Sequence, residues 1–289
     1  MILITGANGH LGTLTIDYLL KKNVPANTIA ALVRDVKKGS DLLDKGISLR
    51  TGDYTDEAAL LKALEGIDTL LLISSGTLEN RTQQHINVIN AAKQNGVKHI
   101  VYTSMLKASP DSKFTPAADH YETEAYLKTA GVPFTVLRNT FYAELIPMLL
   151  GDALQTGTWY YAAGDAKANF ASRVDMAEAL ANVIIHPDKQ ENKIYEIASG
   201  NVYSFSEIAG IVSETSGTQV NYNAIPVDAL KEGMRKAGVP ELHIPLMASV
   251  AETIEAGELD VIDASLEHLL ERKPVDLKEY LPVLLSNAN

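Results

Sequence analysis

Cysteine is absent from this 289-residue chain, and cations are scarce: 25 Lys and Arg stand against 36 Asp and Glu, for a formal net charge of −11. Without thiols there can be no thiolate metal site, cysteine nucleophile or redox disulfide. The acidic balance argues against nucleic acid as a partner, because phosphate contacts need clustered Lys and Arg to displace counterions. Long apolar runs are missing too. The nearest candidate, residues 70–73, is strand-sized and far short of the roughly 18 residues that suggest a membrane span, so no membrane association is expected. Met1-Ile-Leu-Ile-Thr5 enters a strand-like run directly. No basic segment and long apolar stretch come before it, so the expected compartment is the cytoplasm. The 7 histidines lack His-x-x-Glu-His spacing and no Gly-x-Ser-x-Gly elbow occurs, so neither a metal site nor a serine hydrolase is expected.

What is present is an ordinary globular balance, 46% apolar and 21% charged, in a chain long enough for one large domain or a domain with a smaller appendage. Short apolar runs at residues 2–5, 29–33, 47–50, 69–73, 99–103 and 134–137 read as strands, mostly continuous rather than alternating, as in a sheet covered on both faces. Amphipathic stretches fill the gaps. Leu11, Leu14, Tyr18 and Leu19 fall at helical spacing, and residues 55–64 and 86–92 repeat a similar stripe. Right-handed crossovers then give an α/β fold with a doubly wound parallel sheet of the Rossmann type over residues 1–150. After Asn139 the rhythm loosens. A helix carrying Met176, Leu180, Val183 and Ile184 is stopped by Pro187, and a further strand follows at 194–197. With no linker or repeat, residues 151–289 read as a smaller α/β subdomain, a substrate-side lid interwoven with the first.

Thr5-Gly6-Ala7-Asn8-Gly9-His10-Leu11-Gly12 lies between the first strand and the first helix. A pyrophosphate is favoured at a helix N-terminus, where unpaired amides and the helix dipole converge, and glycines let the backbone come close. Gly6 should permit the turn, Gly9 the phosphate contact and Gly12 the packing of helix on strand. The alternative is an ordinary glycine-rich strand-to-helix turn.

The residue ending the second strand selects the dinucleotide, since NAD wants an acidic acceptor for its ribose hydroxyl and NADP a cation for its phosphate. Here it is Arg34, with Lys37 and Lys38 close behind, which favours NADPH and leaves NADH as a weaker ligand. Two alternatives stay open, an inward-pointing Asp35 and a surface role for Arg34. Asp53, after the third strand, can receive the adenine amino group or can N-cap the helix that follows. Ser74, Ser75 and Gly76 end the fourth strand and Thr103 and Ser104 the fifth. Both sets stand at carboxyl ends of strands, where open α/β sheets bind ligands, although serines also form turns.

The segments GANGHLG, ALVRD, GDYTDEAAL, LLLISS, INAAKQNGVKHIVYTS and LLERKPVDLKEYL resemble the atypical, NmrA-like short-chain dehydrogenases over nearly the whole chain. Within that family, His120-Tyr-Glu-Thr-Glu124 and Leu137-Arg-Asn-Thr-Phe-Tyr142 are most similar to the type 2 NAD(P)H:quinone oxidoreductases. The resemblance implies a monomer or homodimer that reduces small planar quinones. It implies cofactor contacts by Arg138, Asn139 and Thr140, and a nicotinamide pocket lined by Asn139, Thr140 and Tyr142.

Members of the wider dehydrogenase family use a Tyr and a Lys four residues apart. Here Tyr121 is followed by Ala125, Tyr126 by Ala130 and Tyr102 by Leu106. Only His120 and Glu124 have the spacing. Alcohol oxidation is thereby disfavoured. Hydride delivery to a quinone leaves a phenolate-like oxygen, and phenols ionise near roughly pH 10, so solvent or a weak acid can supply the proton and no flavin is needed. The resemblance then casts His120 as the group that orients or protonates the quinone oxygen, with Glu124 setting its tautomer. A solvent-facing helical pair is the plainer alternative. Trp159, Tyr160, Tyr161, Phe170 and Tyr203 could form an aromatic wall or simply core. Two other functions fit the missing pair: an NADP-binding redox sensor without turnover, and a reductase or isomerase of another conjugated carbonyl compound.

Overall fold

The computed structural model describes residues 1–287. From the start of the chain its elements are β1 (Ile2–Ile4), α1 (His10–Lys21), β2 (Ile29–Val33), α2 (Ser40–Asp44), β3 (Ser48–Thr51), α3 (Glu57–Ala63), β4 (Thr69–Leu72), α4 (Arg81–Gln94), β5 (His99–Met105), α5 (Ala117–Ala130) and β6 (Phe134–Asn139). There follow β7 (Phe141–Tyr142), α6 (Ile146–Leu150), α7 (Ala153–Thr156), β8 (Thr158–Tyr161), β9 (Lys167–Ala171), α8 (Arg173–Ile185), β10 (Lys193–Ile197), β11 (Val202–Ser204), α9 (Phe205–Ser216), β12 (Asn221–Ala224) and the helices α10 (Val227–Lys236), α11 (Ile244–Glu255), α12 (Ser265–Leu270) and α13 (Leu277–Asn287).

The chain divides into two compact units. The first takes in residues 1–108, 119–139 and 174–196, and the second residues 109–118, 140–173 and the described residues from 197 on. The chain crosses between the units several times rather than once near residue 150. After β9 the chain returns to the first unit with α8 and β10, because the apolar face of α8, with Met176, Ala177, Leu180, Val183 and Ile184 buried, and the edge of the large sheet are completed only there.

In the first unit a 7-stranded sheet runs in the order β10-β6-β5-β4-β1-β2-β3. From β3 through β6 the neighbours are parallel, and β2, β4 and β5 are buried along their whole length, as continuous apolar strands predict. The strand order reverses between β1 and β4. That is the point where the crossovers diverge and leave a crevice at the carboxyl ends. The stripe of α1 is turned relative to the expected one. Its buried side is Leu11, Gly12, Thr15, Ile16 and Leu19, because the small residues Gly12 and Thr15 allow close approach to the sheet.

The second unit holds a 3-stranded sheet, β11-β9-β7, and a 2-stranded one, β12-β8. Asn169 on β9 pins the loop after β10, donating to the carbonyls of Ser199 and Asn201 and accepting from Ser199 N–H. Trp159, Tyr161 and Phe170 are core here, and Tyr203 is buried too. Tyr160 is exposed. Tyr161 stacks on Phe205 at 4.9 Å, and Trp159 lies 4.8 Å from the same ring. Packing is thus what the buried aromatics do. Among the described residues no helix is long and apolar enough to cross a membrane, and no cluster of His, Asp and Glu could hold a metal ion.

Candidate active site

At the switch point between β1 and β4 a cavity of about 1160 Å³ opens, lined by the loop after β1, the ends of β2 and β3 and the loop after β4. Each glycine of the first loop has its own reason. Gly6 has φ of +59°, the left-handed region, and an added Cβ would press on Ile73 at 3.2 Å. A Cβ on Gly12 would stand 2.4 Å from the Gly6 carbonyl oxygen and 2.8 Å from Ala7 Cα, so α1 can dock on the loop only without one. Gly9 is the N-cap of α1. It offers no side-chain cap, and no acidic residue occupies the first turn, which leaves the helix N-terminus to an anion.

Gly6, Ala7, Asn8 and Gly9 line the cavity, whereas His10, Leu11 and Gly12 begin α1, with Leu11 and Gly12 buried beneath it. The Asn8 amide donates to the Lys38 carbonyl at 3.0 Å and ties the loop to the segment after β2. Arg34 and Lys38 are exposed cations on the cavity wall. Asp35 lines it too, but its carboxylate accepts from Lys37 N–H at 2.9 Å, as the cap of a short 3₁₀ turn. Asp53 also lines the cavity. Thr55 donates to Asp53 Oδ1 through both N–H and Oγ1 and holds the carboxyl below its ordinary value. The cap of α3 is Asp56 rather than Asp53. Tyr54, unforeseen in the sequence, lines the same wall. Its hydroxyl lies 2.5 Å from Thr5 Oγ1 and 2.7 Å from the Ile73 carbonyl, bracing the ends of β1 and β4.

Ser74, Ser75 and Gly76 line the cavity. Thr103 and Ser104 are not part of that lining. Thr103 Oγ1 accepts from Ser74 N–H at 2.9 Å, supporting the wall from behind, and Ser104 donates to Glu124 at 2.6 Å. Arg138 is also outside that lining. Nε and Nη2 donate to the two oxygens of Glu124 at 2.9 and 2.6 Å, and Nη1 donates to Glu196 at 2.7 Å, so the guanidinium fork is already engaged. Asn139 is buried, and its Oδ1 has no hydrogen-bond donor. Thr140 and Tyr142 fall in the second unit. Thr140 Oγ1 donates to the Asn169 carbonyl, and the Arg173 guanidinium lies 4.6 Å from the Tyr142 ring centre.

His120 and Glu124 do share a turn of α5, but they do not meet as expected. Both are buried, at 4% and 1% exposure, and Glu124 faces Arg138 and Ser104. His120 instead joins a polar cluster with two α4 residues that the sequence reading missed, Arg81 and His85. Arg81 Nη2 stands 3.0 Å from His120 Nε2, and Tyr102 Oη 2.8 Å from Nδ1. A guanidinium only donates, so Nε2 must accept and the ring proton sits on Nδ1. Arg81, not Glu124, sets that tautomer. Burial, then the Arg81 charge and His85, hold the His120 pKa well below its ordinary value. The ring is neutral with both nitrogens occupied. His85 behaves alike: burial and the Arg81 charge bring it down to about 3. The missed signal was the α4 stripe, since Arg81 and His85 continue the face of Val88, Ile89 and Ala92 toward the helix start.

The chain is 38% identical over 289 residues, all of both chains, to Quinone oxidoreductase 2 of Escherichia coli (strain K12). The crystal structure of an Escherichia coli NADPH-dependent quinone oxidoreductase complexed with NADPH superposes with a TM-score of 0.93 at 38% identity, covering 100% of each chain. That of the Citrobacter sp. triphenylmethane reductase complexed with NADP(H) gives 0.91 at 35% identity and the same coverage. The model of the NmrA-like family matches residues 1–281, and the chain belongs to that family.

Proposed function

We propose that this protein reduces quinones with NADPH, passing two electrons as a hydride and using no flavin. The observation that carries the reading is the uncapped, glycine-cradled start of α1, sharing one cavity with the exposed cation Arg34. Its full-length similarity to the Escherichia coli quinone oxidoreductase supports the acceptor.

The residues fit the dinucleotide. The backbone at residues 6–9 and the first turn of α1 would receive the pyrophosphate, Arg34 and Lys38 the 2′-phosphate, and Asp53 the adenine amino group. The buried Asn139 Oδ1 is an acceptor suited to a carboxamide N–H. Bound NADPH supplies the hydride. The protein's task is to hold donor and flat acceptor in register. Reduction leaves a hydroquinone oxygen that ionises near the phenol range, so water can protonate it and no dedicated acid is needed. His120, neutral and with both nitrogens bonded, is a positioning residue in this scheme.

Flavin-free protein, mixed with NADPH and a naphthoquinone, should consume NADPH and quinone in equal amounts. Binding of NADPH without consumption would refute catalysis and favour the sensor.

A further inference from the structure

Ser75, on the cavity wall, is gripped at both edges of its backbone. Its N–H donates to His85 Nε2 at 2.9 Å, and its carbonyl accepts from Arg81 Nε at 2.8 Å. The two side chains stand one turn apart at the beginning of α4. Each is steadied from α5: Arg81 Nη2 reaches His120 Nε2, and His85 Nδ1 lies 2.9 Å from Thr123 Oγ1. Because the Ser75 amide can only donate, His85 Nε2 must accept, and its proton belongs to Nδ1. Backbone groups in a loop are otherwise left to water.

We propose that Arg81 and His85 are positioning residues for the dinucleotide, clamping the Ser75 backbone so that the wall after β4 is preformed before NADPH arrives. The proposal rests on the reading of this cavity as the NADPH site. A loop ordered only on binding subtracts its entropy from the affinity, and a preformed one does not. The clamp is directional. It needs an acceptor at the His85 Nε2 position and a donor at the Arg81 Nε position, which explains why polar side chains occupy the buried face of α4, where an apolar residue would pack more cheaply.

Two substitutions at one position separate clamping from general stability. In His85→Gln the amide oxygen can stand where Nε2 stood and still accept from Ser75. In His85→Asn the amide reaches only the Nδ1 position, toward Thr123. Both remove the ring and one hydrogen bond, so a merely structural histidine would be damaged equally by either.

The measurements are amide hydrogen exchange at Ser75 in the ligand-free protein and the NADPH dissociation constant. His85→Gln should keep Ser75 protected and the dissociation constant within about threefold. His85→Asn should speed exchange and weaken NADPH by about tenfold, the worth of one hydrogen bond. Arg81→Lys, which replaces the two separate nitrogens that reach Ser75 and His120 with one, should behave like His85→Asn and serves if that variant fails to fold. Equal behaviour of Gln and Asn, or faster exchange with unchanged affinity, would overturn the proposal. If the unsubstituted protein fails to bind NADPH, the reading of the cavity falls instead, while the exchange data still report whether the clamp holds the loop.

Discussion

Replacing Arg34 with alanine should separate the two nicotinamide dinucleotides. Arg34 follows a β2 strand buried at all five positions, yet its own side chain is exposed on the cavity wall beside Lys38. Among the described residues no carboxylate pairs with it, so the guanidinium gives up no ion pair on binding a phosphate. A hydrogen bond to a charged group contributes about 1.5–3 kcal/mol. A bidentate grip could double that, but exposure and salt screen the charge, which brings the expected total back to about 1.5–3 kcal/mol. The loss is therefore about 10- to 150-fold in NADPH affinity, toward the lower figure if Lys38 compensates. NADH carries a hydroxyl at that place and should change by less than about threefold. Fluorescence titration at low and high salt reads both constants, and salt should weaken NADPH binding more in the unsubstituted protein than in Arg34→Ala. Equal losses for the two dinucleotides, or none for NADPH, would refute the assignment of Arg34 to the 2′-phosphate.

Gly12→Ala places a Cβ 2.4 Å from the Gly6 oxygen. It should cost about 1–3 kcal/mol by overpacking and abolish NADPH retention, read by thermal melting and equilibrium dialysis. Glu124→Gln leaves Arg138 with Glu196 as its remaining carboxylate partner, and the urea midpoint should fall by the equivalent of about 2–4 kcal/mol. His120→Gln retains an acceptor for Arg81, so kcat should stay within about threefold, with no new ionisation between about pH 5 and 9 in the rate profile. Buried His85 and His99 are lowered to about 3 and about 4, below the unfolded value near 6.5. The unfolded chain binds more protons in that window, so stability is full above about pH 6.5 and falls as acid is added, by up to about 1.4 kcal/mol per histidine per pH unit. Melting temperature against pH checks this, and a flat profile from pH 6.5 to 4 would contradict it.

Strand positions were legible because burial on both faces demands unbroken apolar runs. The β2 strand occupies residues 29–33 as the sequence implied. Helix faces were harder to read. Counting apolar residues on α1 pointed to Leu14 and Tyr18, yet Gly12, Thr15 and Ile16 face inward, since close packing selects for small size as well as for hydrophobicity. The glycine loop was readable because its conformational demands fall on residue types directly. His120 and Glu124 misled because four-residue spacing fixes a shared helix face and not a partner. Both are buried, and each found its mate on another element, Arg81 on α4 and Arg138 on β6. No local pattern encodes such pairings, and the same holds for the return of residues 174–196 to the first unit.

What the site cannot do narrows the class of acceptor. The Tyr and Lys pair is missing and His120 is walled in. Tyr54, the phenol on the cavity wall, is held above its ordinary value by burial, so the described lining offers no strong proton donor. An aliphatic ketone taking up a hydride becomes an alkoxide, an anion so costly to form that a positioned acid must share its charge in the transition state. A quinone becomes a phenolate, stabilised by its own ring. Simple ketones should accordingly show no NADPH-dependent turnover where quinones do, and efficient ketone reduction by this protein would mean that a proton donor outside the cavity had been overlooked.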